Sequence, residues 1–184
     1  MCNLFEQDLA WADYCAIMQA EELGIVTDSL DLPLGEVRPT EKAAHISAAD
    51  GGTKLELLQF GITFKPGGKL FLNLKSEGRL DPPGVRGLLF ASRFFEFKGE
   101  KSPKSKFAFS LAQANYPLAL ATIRRAQGFA ILTTSPGPDT LPYHNRQLVP
   151  VPPKDWGRWL SGPAWPEDLM RPLSPGTFAV TQVR

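Results

Sequence analysis

A cysteine directly behind the initiator methionine holds the most distinctive chemistry of this chain, which opens "MCNLF". Some residue must be second, and chance accounts for a cysteine there. If Met1 is removed, however, Cys2 carries an amine and a thiol on adjacent carbons, a pair that Cys15, the other cysteine, does not offer. A second group is Glu96 in "RFFEFKG", flanked by Phe94, Phe95 and Phe97. A carboxylate among aromatic rings has its charged form disfavoured, which raises its pKa and suits it to proton transfer. Simple strand alternation instead puts Glu96 on a solvent face opposite Phe95 and Phe97. His144 in "PYHNRQLVP" stands beside Asn145 and Arg146 and reads as a general acid/base or as a surface residue. Asn73 and Glu77 in "FLNLKSEGR" are polar interruptions that site chemistry or a strand end would explain. Finally, "FKGEKSPKSKF" sets Lys98, Lys101, Lys104 and Lys106 against Glu100, and Arg124–Arg125 form a second basic point. Such a loop meets phosphates or is simply solvated.

These residues need elements to position them. "EQDLAWADYCAIMQAEELG" has helical spacing, with Ala10, Tyr14, Ile17 and Met18 on one face and Gly24 as a stop. "DSLDLPLGEVRPTEKAAHIS" reads as a loop broken by Pro33 and Pro39. Six short apolar or alternating runs follow: "KLELLQFGITF", "KLFLNLK", "RGLLFASRFFEFKG", "KFAFSLA", "PLALATI" and "GFAILTT". "SPGPDTLPYHNRQLVPVPP" is too rich in proline for an element. "PKDWGRWLSG" predicts a short helix with Pro153 near its first turn, and "GTFAVTQVR" a final strand. The pattern predicts an α+β fold, with a mostly antiparallel, curved, barrel-like sheet and a few peripheral helices.

The composition narrows the function. A length of 184 residues suits one domain over 1–184, and a net charge of +1 leaves any nucleic-acid binding to a local patch. Two histidines and two cysteines without CxxC or HExxH spacing predict no metal, and no phosphate loop predicts a nucleotide cofactor. With no membrane span and no secretory signal, the expectation is a cytoplasmic monomer, nucleoid-associated if bacterial.

Together these motifs resemble the SOS-response-associated peptidase family, also described as abasic-site processing or shielding proteins. That family begins Met-Cys-Gly-Arg-Phe, where this chain has "MCNLF". Its Asn-Ala-Arg-x-Glu segment resembles "NLKSE", Asn73 to Glu77. Its Arg-Cys-Leu-Val-Pro-Ala-x-Gly-Phe-Tyr-Glu-Trp resembles "RGLLFASRFFEF", with Arg86 and Glu96 retained. Its His-Asp-Arg-Met-Pro segment after an "ILTT" strand puts His144 and Arg146 in register, and "PPKDWGRWL" follows in order. Asn3, Leu4, Lys75, Phe60, Arg93 and Asn145 depart from the family pattern. Binding positions change while the chemical residues stay, as in a divergent member.

The resemblance implies covalent capture of abasic sites in single-stranded DNA, with Cys2, Asn73, Glu96 and His144 catalytic. An α-amino group, with a pKa near ~7.8, is roughly a tenth neutral at pH 7, so a terminal amine attacks the aldehyde of an open abasic sugar. The neighbouring thiol then closes a thiazolidine ring. Asn73 would position the sugar or the amine. Glu96 would move protons and could assist Met1 removal, and His144 would act on the sugar oxygen. Lys75, Arg86, Lys101, Lys104, Lys106 and Arg146 would bind DNA. Lyase activity through β-elimination is a side reaction of the same imine. Two alternatives stand beside this reading: a cysteine-dependent (auto)peptidase using Cys2, and a non-catalytic single-strand-binding module.

Overall fold

The computed structural model describes residues 2–77, 84–100, 102–113, 116–126 and 128–184. In chain order the elements are β1 (Phe5–Gln7), α1 (Trp11–Ala20), β2 (Gly35–Val37), β3 (Lys42–Ala49), β4 (Gly52–Phe60), β5 (Asn73–Lys75), β6 (Val85–Ala91), β7 (Arg93–Lys98), β8 (Ser105–Leu111), β9 (Leu118–Arg125), β10 (Gly128–Thr134), β11 (Gln147–Leu148), α2 (Trp156–Ser161) and β12 (Phe178–Gln182). Strands β10, β4, β3, β6 and β9 hydrogen-bond in sequence, and β9 pairs back onto β10, so this sheet closes on itself. The second sheet is open and runs β12-β8-β7-β1-β2. The α+β, mostly antiparallel and curved architecture is the one the sequence predicts.

Both faces of the closed sheet are covered, and this explains its near-continuous apolar runs. Along β6, Leu88 and Phe90 face a core shared with Tyr14, Met18, Trp156 and Trp159 from the two helices. The alternate residues Leu89 and Ala91 join Cys2, Phe5, Phe94, Phe109 and Phe178. Strand β10 divides in the same way, Ala130 and Leu132 on one side and Phe129 and Ile131 on the other. The indoles dock with satisfied N–H groups. Trp159 Nε1 donates to Gly87 O at 2.7 Å and Trp156 Nε1 to Val151 O at 2.8 Å. Glycine is required at 87, because a Cβ there would meet His45 Cε1 at 2.2 Å.

The sequence reading errs at the amino end and in the first third. The helix is shorter than the run from Glu6 to Gly24, and Phe5–Gln7 is a strand. Gln7 is buried, and its amide clamps Ala44 N, Ala44 O and Phe90 O. Those long-range bonds are available only to an extended residue, and they override local helical spacing. The expected loop contains β2 and six of the eight residues of β3. "KLFLNLK" shrinks to three residues, and Ser92 divides the run 86–99 into β6 and β7.

Candidate active site

Strand β1 brings the amino end to Glu96. It lies between β2 and β7, pairing Phe5 with Phe94 and Glu6 with Arg93, and Phe95 N donates to Leu4 O at 3.0 Å. Glu96 is 4% exposed, although Phe95 and Phe97 do lie on the opposite face of β7 as alternation requires. The solvent-face reading fails because that second sheet is covered on both sides near Glu96. Cys2 is fully buried, and its thiol donates to Leu4 O at 3.2 Å.

Asn73 reaches the same place from the other sheet. Strand β5 runs parallel to β10, with Asn73 beside Ile131, and Asn73 Nδ2 donates to Cys2 O at 2.8 Å. Its buried Oδ1 has no hydrogen-bond partner among the described residues. His144 sits half-buried after a series of turns that Gln147 braces, accepting from Gly137 N at 2.6 Å. Arg146 N donates to His144 Nδ1 at 3.0 Å. Nδ1 is therefore the acceptor, and the neutral imidazole carries its proton on Nε2. The rings of Phe107 and Tyr143 connect these groups. Phe107 pairs with Glu96 across β7 and β8, and its ring lies 4.6 Å from that of Tyr143, next to His144.

The electrostatics fit a site of proton transfer. Burial pushes Glu96 up to about 7, against the lowering pull of the positive amino terminus. Burial also pushes the Cys2 thiol up to about 12, and the neighbouring Glu96 charge adds to the rise. His144 is lowered by burial and by the charges of the amino terminus and Arg146. The Glu96 charge thus acts on the Cys2 thiol, and burial shifts all three groups toward their neutral forms.

The model of the family SOS response associated peptidase (SRAP) matches residues 83–184, more than half of the chain. The chain belongs to the SRAP family. Two solved structures have the same fold. A protein from Bacteroides thetaiotaomicron superposes with a TM-score of 0.76 at 15% identity, covering 100% of this chain and 92% of that one. A protein from Bordetella bronchiseptica gives 0.74 at 19% identity, with 100% of both chains covered. At these identities the likeness is one of fold. No curated protein matches the chain. SRAP proteins are associated with the SOS response and with abasic-site processing.

The cations of this SRAP chain are dispersed. Arg146 makes two bonds to Glu77, at 2.7 and 2.6 Å, and another to Thr133 O. Arg86 is held by the carbonyls of Ala164 and Gly162. Lys106 pairs with Glu36 and lies 3.9 Å from the Phe95 ring centroid. Lys75 and Lys104 are exposed, and Lys101 and Met1 lie outside the described residues. Sequence reasoning overlooked Phe107 and Tyr143; the one available signal was that Tyr143 adjoins His144.

The Glu77–Arg146 pair carries a stability prediction. The guanidinium hydrogen bonds hold the Glu77 carboxyl at about 2, below its ordinary value of 4.5. A depressed carboxylate contributes stability above its unfolded pKa and loses it as pH falls through the folded one. The melting temperature should therefore fall between pH 4.5 and 2 by more in the wild type than in Glu77→Gln. The partial exposure of Glu77 keeps the effect modest. Equal acid sensitivity in both proteins would remove the pair from the stability of the His144 loop.

Proposed function

We propose that this SRAP protein captures abasic sites in single-stranded DNA through an amino-terminal Cys2, exposed by removal of Met1. The observation that carries the reading is the convergence of Cys2, Asn73 and Glu96. Asn73 grips the Cys2 carbonyl, and Glu96 stands close enough for its charge to act on the Cys2 thiol.

The chemistry proceeds in balanced steps. His144 Nε2–H gives its proton to the ring oxygen as the C–O bond of the closed sugar breaks, the anomeric hydroxyl returns a proton to Nε2 by way of solvent, and the aldehyde opens. The neutral Cys2 amine attacks the aldehyde carbon. The carbinolamine then loses water to give an imine, with Glu96 supplying the proton to the leaving hydroxyl. The thiol adds across the C=N bond, sulfur to carbon and hydrogen to nitrogen, and closes the thiazolidine with net loss of one water. A carboxyl near pH 7 gives and takes protons with similar ease. Asn73 Oδ1, an unmet buried acceptor, supplies a partner for the new amino terminus. The protonated, buried thiol weighs against the peptidase reading, which needs a thiolate at the outset. In the ring-forming sequence the amine acts first.

Exposed Lys75 and Lys104 would meet phosphates. Intact mass analysis tests the reading. Purified protein should lack Met1, and incubation with abasic single-stranded DNA should add the mass of the DNA minus one water. Active protein that retains Met1 would rule out the mechanism.

A further inference from the structure

Glu77 stands out in the sequence and has no part in the chemistry above. It closes the run Asn73–Glu77, whose first residue grips the Cys2 carbonyl. The run is tied to β10 along its length. Asn73, Leu74 and Lys75 pair with Ile131, Leu132 and Thr133, and Ser76 N donates to Thr133 O at 2.9 Å. Thr133 Oγ1 donates to Leu74 O at 3.1 Å, and Ser135 Oγ to Glu77 Oε1 at 3.4 Å. Every residue of β10 is buried, so the run has a fixed seat.

The Arg146 guanidinium is bound to the end of this run and to β10 itself. Nη1 and Nη2 donate to Oε1 and Oε2 of Glu77 at 2.7 and 2.6 Å. Nη2 also donates to Thr133 O at 2.6 Å, and Nε to Thr133 Oγ1 at 3.4 Å. A planar fork matched to a carboxylate fixes direction as well as distance. The Arg146 side chain is 15% exposed, so a phosphate would have to displace Glu77 to engage it. The backbone N of the same residue donates to His144 Nδ1 at 3.0 Å. The side chain thus fixes where residue 146 sits, and its amide fixes the tautomer of the imidazole.

We infer that Glu77 and Arg146 are positioning residues for His144, and that Asn73–Glu77 is one strut holding both halves of the site, the amino end at Asn73 and the imidazole at Glu77. His144's task is that of the proposed function, on which this role rests. Arg146 thereby moves from the phosphate contacts that the resemblance implies to the support of the proton donor.

The test compares single-turnover crosslinking to two oligonucleotides. One carries a natural abasic site, and the other an acyclic aldehyde with no hydroxyl to close a ring. On the natural site, Glu77→Gln should lower the maximal rate about 10- to 100-fold, the scale of misplacing a reacting group by up to about 1 Å. The half-saturating DNA concentration should stay unchanged. On the acyclic aldehyde the variant should keep the wild-type rate, because no ring needs opening. In a His144→Ala background Glu77→Gln should add nothing, since it acts through the imidazole. Arg146→Lys should be as slow as Glu77→Gln, because an ammonium cannot hold both Glu77 oxygens and Thr133 O in one plane. Long-range proton–nitrogen spectra read the tautomer in protein without DNA. His144 should be a single Nε2–H form in the wild type and a mixture in Glu77→Gln, with His45 unchanged as the control. Tighter DNA binding by Glu77→Gln would mark Arg146 as a phosphate contact held in check and overturn the role. An unchanged maximal rate on the natural site, equal slowing on both oligonucleotides or an unchanged tautomer would overturn it too. No adduct from the wild type on either oligonucleotide, with the tautomer lost in Glu77→Gln, would instead overturn the proposed chemistry and leave the strut standing.

Discussion

One extra residue ahead of Cys2 is expected to abolish the heat-stable product with abasic DNA completely. A glycine inserted between Met1 and Cys2 leaves the thiol in the chain but gives the amine to another residue. The thiazolidine needs nitrogen and sulfur on neighbouring carbons, so no positioning can restore it. This is loss of a bond-forming group, not of a proton-transfer group, and therefore the largest effect the mechanism allows. Cys2→Ala and Cys2→Ser separate the two atoms. Both keep a terminal amine and should still form an imine, which borohydride traps, and both should lose the product that survives heating without reductant. A peptidase that uses only the Cys2 thiol would tolerate the extension far better than Cys2→Ala. Denaturing gels and intact masses of the adducts distinguish these cases. A heat-stable adduct from the extended protein, equal to that of the wild type, would sink the mechanism.

Legibility in the sequence followed how local each signal was. Runs such as "PLALATI" and "GFAILTT" read as strands because β9 and β10 are apolar on both faces. Strand β3 escaped notice because it is built from "KAAHISAA", where small residues carry burial without strong β propensity. Its burial comes from its hairpin partner β4 and from β6, which is distant in sequence. Glu96 was visible as an anomaly among phenylalanines, but alternation could not say which face of β7 was wet. The carboxylate partners of Lys106 and Arg146 lie 70 and 69 residues away, so counting lysines in a loop could not foresee their engagement.

Glu96→Gln should slow thiazolidine formation about 10²–10⁴-fold, the usual cost of one positioned acid/base group. Glutamine keeps the size and much of the hydrogen bonding of the side chain but cannot give up or take a proton. The rate should therefore fall while DNA affinity and the mass that the DNA adds stay the same. The pH profile should change as well. With burial holding Glu96 above the ordinary carboxylate range, the wild-type rate should carry a limb from Glu96, beside one from the terminal amine near ~7.8. Only the amine limb should survive in the variant. Stability supplies an independent check. Burial raises the Glu96 pKa from an ordinary 4.5, so the fold favours the protonated acid. That stabilisation is complete below about 4.5 and is lost as pH rises through about 7. Urea denaturation should show the wild type weakening relative to Glu96→Gln between pH 5 and 8. If Glu96 only filled space beside Cys2, glutamine would fill it equally well, and a variant with the wild-type rate and the wild-type pH profile would strip Glu96 of its role in proton transfer.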